Sequence, residues 1–184
     1  MAELDEALVG RVLEVEPVGF SGKAYRHLGP GYQPLSGEGA RVRGGRWNPT
    51  ESFPVVYLAK TERSAIAEFY RLAEKNGRRP GDLLPRHLHR YRVELQRVLD
   101  LTVEDNLRTV RLELIDLRSE DPTRCQAVGD AAHYAGFEAV LAPSATGIDE
   151  TLAVFTARLQ AGSLIEPIAF DVRNDLPLHH GGGR

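Results

Sequence analysis

Gly44-Gly45-Arg46-Trp47-Asn48-Pro49, with Phe53-Pro54-Val55-Val56-Tyr57-Leu58-Ala59 close behind it, carries most of the fold information in this chain. Two adjacent glycines permit positive φ or close backbone approach. Arg46 offers a planar fork of donors suited to a phosphate or a carboxylate. Trp47, the only tryptophan, suits stacking on a base or anchoring a loop, and Asn48 both donates and accepts. The same residues also describe a plain turn whose Trp fills the core, with Arg46 at the surface. Phe53–Ala59 reads as a buried strand. Thr61 follows as the N-cap of a helix that runs to about Lys75 and stops at Asn76-Gly77. Tyr57 falls at the end of the strand and Glu68 on the second turn of the helix. Ala65 and Leu72 flank Glu68, so its carboxylate borders the apolar face. An acidic group there has either a partner or a purpose, and Arg46 and Arg71 are the candidate partners.

Working outward, Leu4 to Leu13 is spaced as an amphipathic helix, and Lys23 to Leu28, with Tyr25-Arg26-His27, as a strand. Gly29 to Gly45 is rich in Gly and Pro and reads as a long irregular span, the kind of loop that tends to be functional. Downstream, His87 to Leu95 alternates as a strand, and Val98 to Leu101 continues it after a turn. Asp105 to Leu117 reads as a helix, as does Gln126 to Tyr134, ended by Gly136. Ala139 to Ala142 is a short strand running into Pro143-Ser144, and Leu152–Leu159 and Ile165–Val172 are two more. Strands and helices mix without βαβ alternation, so the expectation is an α+β fold rather than a doubly wound sheet. With 184 residues, no repeat and no linker, the chain fits one domain over 1–184, with a flexible tail at 179–184.

A net charge of -3 argues against a broad basic surface for nucleic acid. Arg78-Arg79 and the stretch Arg86 to Arg92 read as a solvated loop and strand edge. The lone Cys125 leaves no intrachain disulfide and no Cys-rich zinc site, and it reads as a packing residue. His87 and His89 share one face of a strand but lack a third ligand, and His179-His180 in the tail adds none. The expectation is therefore that no metal is bound. An acidic N-terminus and the lack of any apolar run of roughly 20 residues point to a cytoplasmic protein with no membrane segment.

The run Leu35-Ser36-Gly37-Glu38-Gly39-Ala40-Arg41, then Gly44 to Pro49, then Phe53 to Ala59, with Glu68 downstream, resembles the RES domain. That family is named for an Arg, a Glu and a Ser, and supplies toxins of bacterial toxin–antitoxin pairs whose antitoxin carries an Xre-type helix-turn-helix. The resemblance spans about Tyr25 to Ser144. Leu4-Asp5-Glu6 and Cys125-Gln126-Ala127-Val128-Gly129 resemble the branch that degrades NAD+ by phosphorolysis. The resemblance implies a fold like that of ADP-ribosyltransferases, with small mixed sheets flanking an NAD+ cleft. Arg26 and Arg46 would hold the pyrophosphate, and Gly45, Trp47 and Asn48 would line the same site. Tyr57 would stack on the nicotinamide and Glu68 would orient its ribose. For the family's Ser, Ser144 in Pro143-Ser144-Ala145 is the match, and Thr123, shortly before Cys125-Gln126, is the other hydroxyl in a functional place.

NAD+ would then be a substrate rather than a prosthetic group, with inorganic phosphate as co-substrate and nicotinamide and ADP-ribose-1″-phosphate as products. A protein acceptor would instead make the chain an ADP-ribosyltransferase. A different class, a non-catalytic binding module or a ribonuclease-type toxin, would use His87, His89 and the basic stretch. The implied partner is a cognate Xre-type antitoxin in a hetero-oligomer, with no direct nucleic-acid contact by this chain.

Overall fold

The computed structural model describes residues 5–176. Leu4, the tail from His179 to Arg184 and the His179-His180 pair lie outside the described residues.

The strand and helix read around Tyr57 form where local chemistry favours them. Val55–Ala59 is strand β2, nearly all buried, and α3 spans Glu62–Lys75. The Thr61 side chain accepts the Ser64 amide at the N-terminus of α3, and Gly77 closes the other end at φ 59°. The remaining elements are α1 (Glu6–Glu14), β1 (Val18–Leu28), α2 (Glu38–Arg43), β3 (Arg86–Asp100), α4 (Glu104–Thr109), α5 (Leu114–Arg118), α6 (Thr123–Tyr134), β4 (Ala139–Pro143), β5 (Glu150–Phe155) and β6 (Leu164–Arg173).

Several expectations are corrected. Gly29–Gly45 is not irregular throughout, because α2 forms inside it. The backbone of Gly37 packs directly on the start of β2, and the Ala40 carbonyl accepts both the Gly44 amide and Asn48 Nδ2. The helix expected over Asp105–Leu117 is two, α4 and α5, separated around Arg111 at φ 57°. β3 runs on through the turn expected before Val98, since the buried Glu138 carboxylate accepts the Gln96 and Arg97 amides at 2.6 and 2.8 Å.

That long β3 decides the topology. Among the described residues the strands form one mixed sheet in the order β1-β2-β5-β4-β3-β6, and β1 also pairs with β3, so the sheet closes on itself. β1 and β3 are antiparallel from Val18↔Val98 to Leu28↔His87, while β1 meets β2 only at Tyr25↔Ala59. The end of β3 then pairs in parallel with β4 over Val98–Asp100. The expected pair of small sheets is thus one continuous sheet, joined by β3 serving both halves.

The core lies on both sides of this sheet, which is why β2, β4 and β5 are apolar without alternation. Val56, Leu58, Tyr91, Val93, Leu141 and Val154 help fill the inside of the ring. Outside it, Trp47, Leu99, Phe137 and Phe155 pack with α1 and α6. This second cluster fixes the Gly44–Pro49 turn, and α3 lies across β1 and β2 beside it.

Candidate active site

Helix α3 presents Ser64, Glu68 and Arg71 along one stripe. Ser64 Oγ donates to the Ile148 carbonyl at 2.8 Å, and Thr61 Oγ1 to Asp149 Oδ2 at 2.6 Å. These bonds tie the β4–β5 connection to the start of the helix. One turn further along α3, Ser144 Oγ donates to Glu68 Oε1 at 2.7 Å. Ser144 is 1% exposed, whereas Glu68 is half-buried at the margin. The partner required of Glu68 is therefore a serine 76 residues away rather than an arginine.

The turn that carries Ser144 is held from within. The Ser144 amide donates to the Asp149 carbonyl and the Gly147 amide to the Ser144 carbonyl, both at 2.9 Å. Gly147 takes φ 75°, which favours glycine there. Thr146 adds a hydroxyl 2.8 Å from Ser144 Oγ, and its amide donates to that same oxygen at 3.1 Å. The dyad is thus a carboxylate and a hydroxyl locked in one geometry, and among the described residues the second Glu68 oxygen accepts no hydrogen bond.

Arg71, the next stripe residue, meets Glu120 at 3.6 Å, bringing the segment after α5 to the side of the dyad. Arg118, the last residue of α5, lies beside Gly147; its Nη2 is 3.7 Å from where a Cβ on that glycine would sit. Sequence reasoning missed Thr146, Arg118 and Glu120. Only Thr146 carried a signal, its place two residues after Ser144.

The conspicuous motif is bonded largely within itself. Trp47 and Asn48 are 2% and 0% exposed. Asn48 Nδ2 donates to the Ala40 carbonyl at 2.8 Å, and Asn48 Oδ1 accepts from the Tyr57 hydroxyl at 2.9 Å. That hydroxyl accepts in turn from the Trp47 amide at 2.8 Å. Burial pushes the Tyr57 phenol well above its ordinary range, so it stays protonated and can donate. A Cβ on Gly45 would overlap the Tyr57 ring, and one on Gly129 of α6 would overlap the Trp47 carbonyl. Gln126 Nε2 donates to the Gly45 carbonyl at 2.9 Å, fastening the turn to α6.

Both arginines expected to hold the pyrophosphate donate to backbone carbonyls. Arg46 Nη1 donates to the Asp116 carbonyl at 3.1 Å and Nη2 to the Ser119 carbonyl at 2.8 Å. These are carbonyls at the end of α5 that a helix leaves without partners. Arg26 donates to the Pro34 and Ser36 carbonyls at 3.0 and 3.1 Å, gathering the loop before α2. The Tyr57 hydroxyl is likewise committed to Trp47 and Asn48, and its ring packs on the outer core cluster. Thr123 stands exposed at the start of α6, with its hydroxyl on Asp121 Oδ1 at 2.6 Å and no bond to Glu68.

The other sequence candidates are accounted for by packing. His87 and His89 share a face, and each ring stacks on Phe170 of β6 with centroids 5.1 Å apart. Within the basic stretch, Arg86 donates to His27 Nδ1 at 2.9 Å and Arg92 meets Glu166 at 2.9 Å. Cys125 is buried, which raises its thiol pKa. Among the described residues no group of three His, Cys, Asp or Glu is placed to hold a metal, and no helix is long and apolar enough to cross a membrane.

A mixed sheet closed on itself, with a carboxylate–serine pair held between a helix and a turn, defines a compact α+β protein carrying a hydrogen-bonded polar dyad at its margin. The RES domain model matches residues 23–179, and the chain belongs to that family. It is 37% identical over 163 residues to NAD(+) phosphorylase MbcT of Mycobacterium tuberculosis and of Mycobacterium bovis, covering 88% of either chain. It is 38% identical over 156 residues to the probable NAD(+) phosphorylase Rv3189 of M. tuberculosis, covering 83% of this chain and 72% of that one. The crystal structure of the M. tuberculosis MbcT-MbcA toxin-antitoxin complex matches with TM-score 0.81 at 32% identity, over 92% of this chain and 93% of the other.

Proposed function

We propose that this chain is the toxin of a toxin–antitoxin pair and degrades NAD+ by phosphorolysis of the nicotinamide–ribose bond. The observation that carries the reading is the Ser144–Glu68 hydrogen bond of 2.7 Å, a fixed anionic site in a RES domain. Its support is the extent of the likeness to proteins named as NAD(+) phosphorylases. The likeness to ADP-ribosyltransferases belongs to the same reading.

The chemistry asks little proton transfer of the protein. Nicotinamide leaves the ribose C1″ with the electron pair of the C–N bond and departs neutral. Hydrogen phosphate forms the new C1″–O bond and keeps its proton. What needs stabilising is the positive charge that develops on the ribose, and a preoriented carboxylate does this without reorganising. Glu68 is that carboxylate. Ser144 positions it, because a hydroxyl donating to one oxygen fixes the plane of the other. Arg46, Asn48 and Tyr57 act through the turn and α5, with Gly45 and Trp47 filling the space between. Arg26 shapes the loop before α2. Of the two hydroxyls, Ser144 serves the site.

A toxin that consumes NAD+ needs restraint in its own cytoplasm. The partner in this reading is an Xre-type antitoxin in a hetero-oligomer, supported by the toxin–antitoxin complex among the structural relatives. Purified chain incubated with NAD+, with and without phosphate, tests the function. Phosphate-dependent release of nicotinamide with formation of ADP-ribose-1″-phosphate is expected. Release indifferent to phosphate would rule out phosphorolysis, and label transferred from NAD+ to protein would point to an ADP-ribosyltransferase.

A further inference from the structure

Phosphorolysis brings a dianion to a margin where the groups already described are mostly acidic. Glu68 faces it, Glu120 lies across from Arg71, and Asp149 and Glu150 bound the β4–β5 turn. Most of the nearby cations are engaged. Arg71 meets Glu120, Lys60 pairs with Glu150, and Arg46 donates to the Asp116 and Ser119 carbonyls. Arg118 differs from them. Among the described residues it has no carboxylate within ion-pair distance and donates no hydrogen bond, and its guanidinium rests against Gly147 in the Ser144 turn.

We propose that Arg118 is the phosphate-binding cation of this site, a proposal that rests on the phosphorolytic reading above. Three features support it. The guanidinium fork matches two oxygens of one phosphate, which a lone ammonium does not. The end of α5 is held in place by Arg46, so Arg118 extends from a braced backbone rather than a free loop. The guanidinium also lies directly beside the Ser144 turn, with Nη2 3.7 Å from where a Cβ on Gly147 would sit. The family's conspicuous arginine thus positions the one that meets the anion. Inorganic phosphate is favoured over the pyrophosphate of NAD+ because the Arg118 guanidinium lies beside the turn of the dyad that addresses C1″, where the acceptor must arrive.

Steady-state kinetics on the full chain test this with Arg118→Ala and Arg118→Lys. In the alanine variant KM for phosphate rises about tenfold or more. KM for NAD+ holds, the lysine variant falls between, and the thermal midpoint stays put because the side chain is exposed. An unchanged KM for phosphate overturns the proposal. So does a rise in KM for NAD+ alone, which would place Arg118 on the dinucleotide. Calorimetric titration of inorganic phosphate into parent and Arg118→Ala separates this proposal from the function it rests on. Binding by the parent and not by the variant supports the site even if turnover ignores phosphate. Equal binding, or none by the parent, refutes the site even if phosphorolysis stands.

Discussion

Two tight turns of this protein, Gly44–Pro49 and Ser144–Asp149, direct their polar groups in opposite directions. The first satisfies its polar groups inward. Asn48, Tyr57 and the Trp47 amide bond one another beneath the surface, and Arg46 reaches out only to hold α5. The second satisfies its backbone just as fully but lays a serine against the glutamate of a neighbouring helix. In the proposed function a dense, unusual motif serves as scaffold, and an ordinary Pro-Ser-Ala-Thr-Gly turn carries the chemistry. Chemical variety in a short stretch marks a place where many constraints meet, and burial is among the strongest of them.

The difference can be broken most severely from the scaffold side. Gly129→Ala forces a methyl into the Trp47 carbonyl, backbone against backbone, so neither side yields cheaply. A loss of about 3 kcal/mol or more is expected, read as a lower urea midpoint. Tyr57→Phe keeps the ring but leaves Asn48 Oδ1 and the Trp47 amide without their partner. This variant should lose about 2 kcal/mol while keeping the turnover of each folded molecule. Equal loss of rate would move Tyr57 from scaffold to site.

Acid gives a gentler lever on the back of α3. His27 packs edge-on against Phe69 and accepts from Arg86, and burial, with Arg86 and Arg26 nearby, lowers its pKa to about 3. Unfolded, the same imidazole titrates near 6.5. The unfolded chain therefore binds the extra proton between these values. Stability contributed by neutral His27 is whole above about 6.5 and declines as pH falls toward 3, by at most about 1.4 kcal/mol per pH unit. Urea midpoints measured from pH 7 to pH 5 should fall, and His27→Gln should flatten that slope.

Much of the frame was legible because its signals are local. The apolar run of β2, the Thr61 cap and the Asn76-Gly77 stop describe a strand and helix within about a turn of where they lie. Glu68 stood out by its flank on α3. Its partner was beyond local reading, since the residues that meet are 76 apart, and only family resemblance brought Ser144 forward. The use of Arg46 was hidden for the same reason: its acceptors lie 70 and 73 positions away and are backbone atoms that any residue types would supply. The continuous β3 was missed because the groups satisfying Gln96 and Arg97 come from Glu138 rather than from the strand's own pattern.

The claim that the dyad, and not the Trp turn, does the chemistry rests most directly on nicotinamide release by Glu68→Gln at matched concentrations of folded protein. The amide keeps the shape and a bond to Ser144 but removes the negative charge. The expected result is a fall of about 100-fold or more in rate with the melting midpoint close to the parent's. A variant that turns over NAD+ as fast as the parent would contradict it.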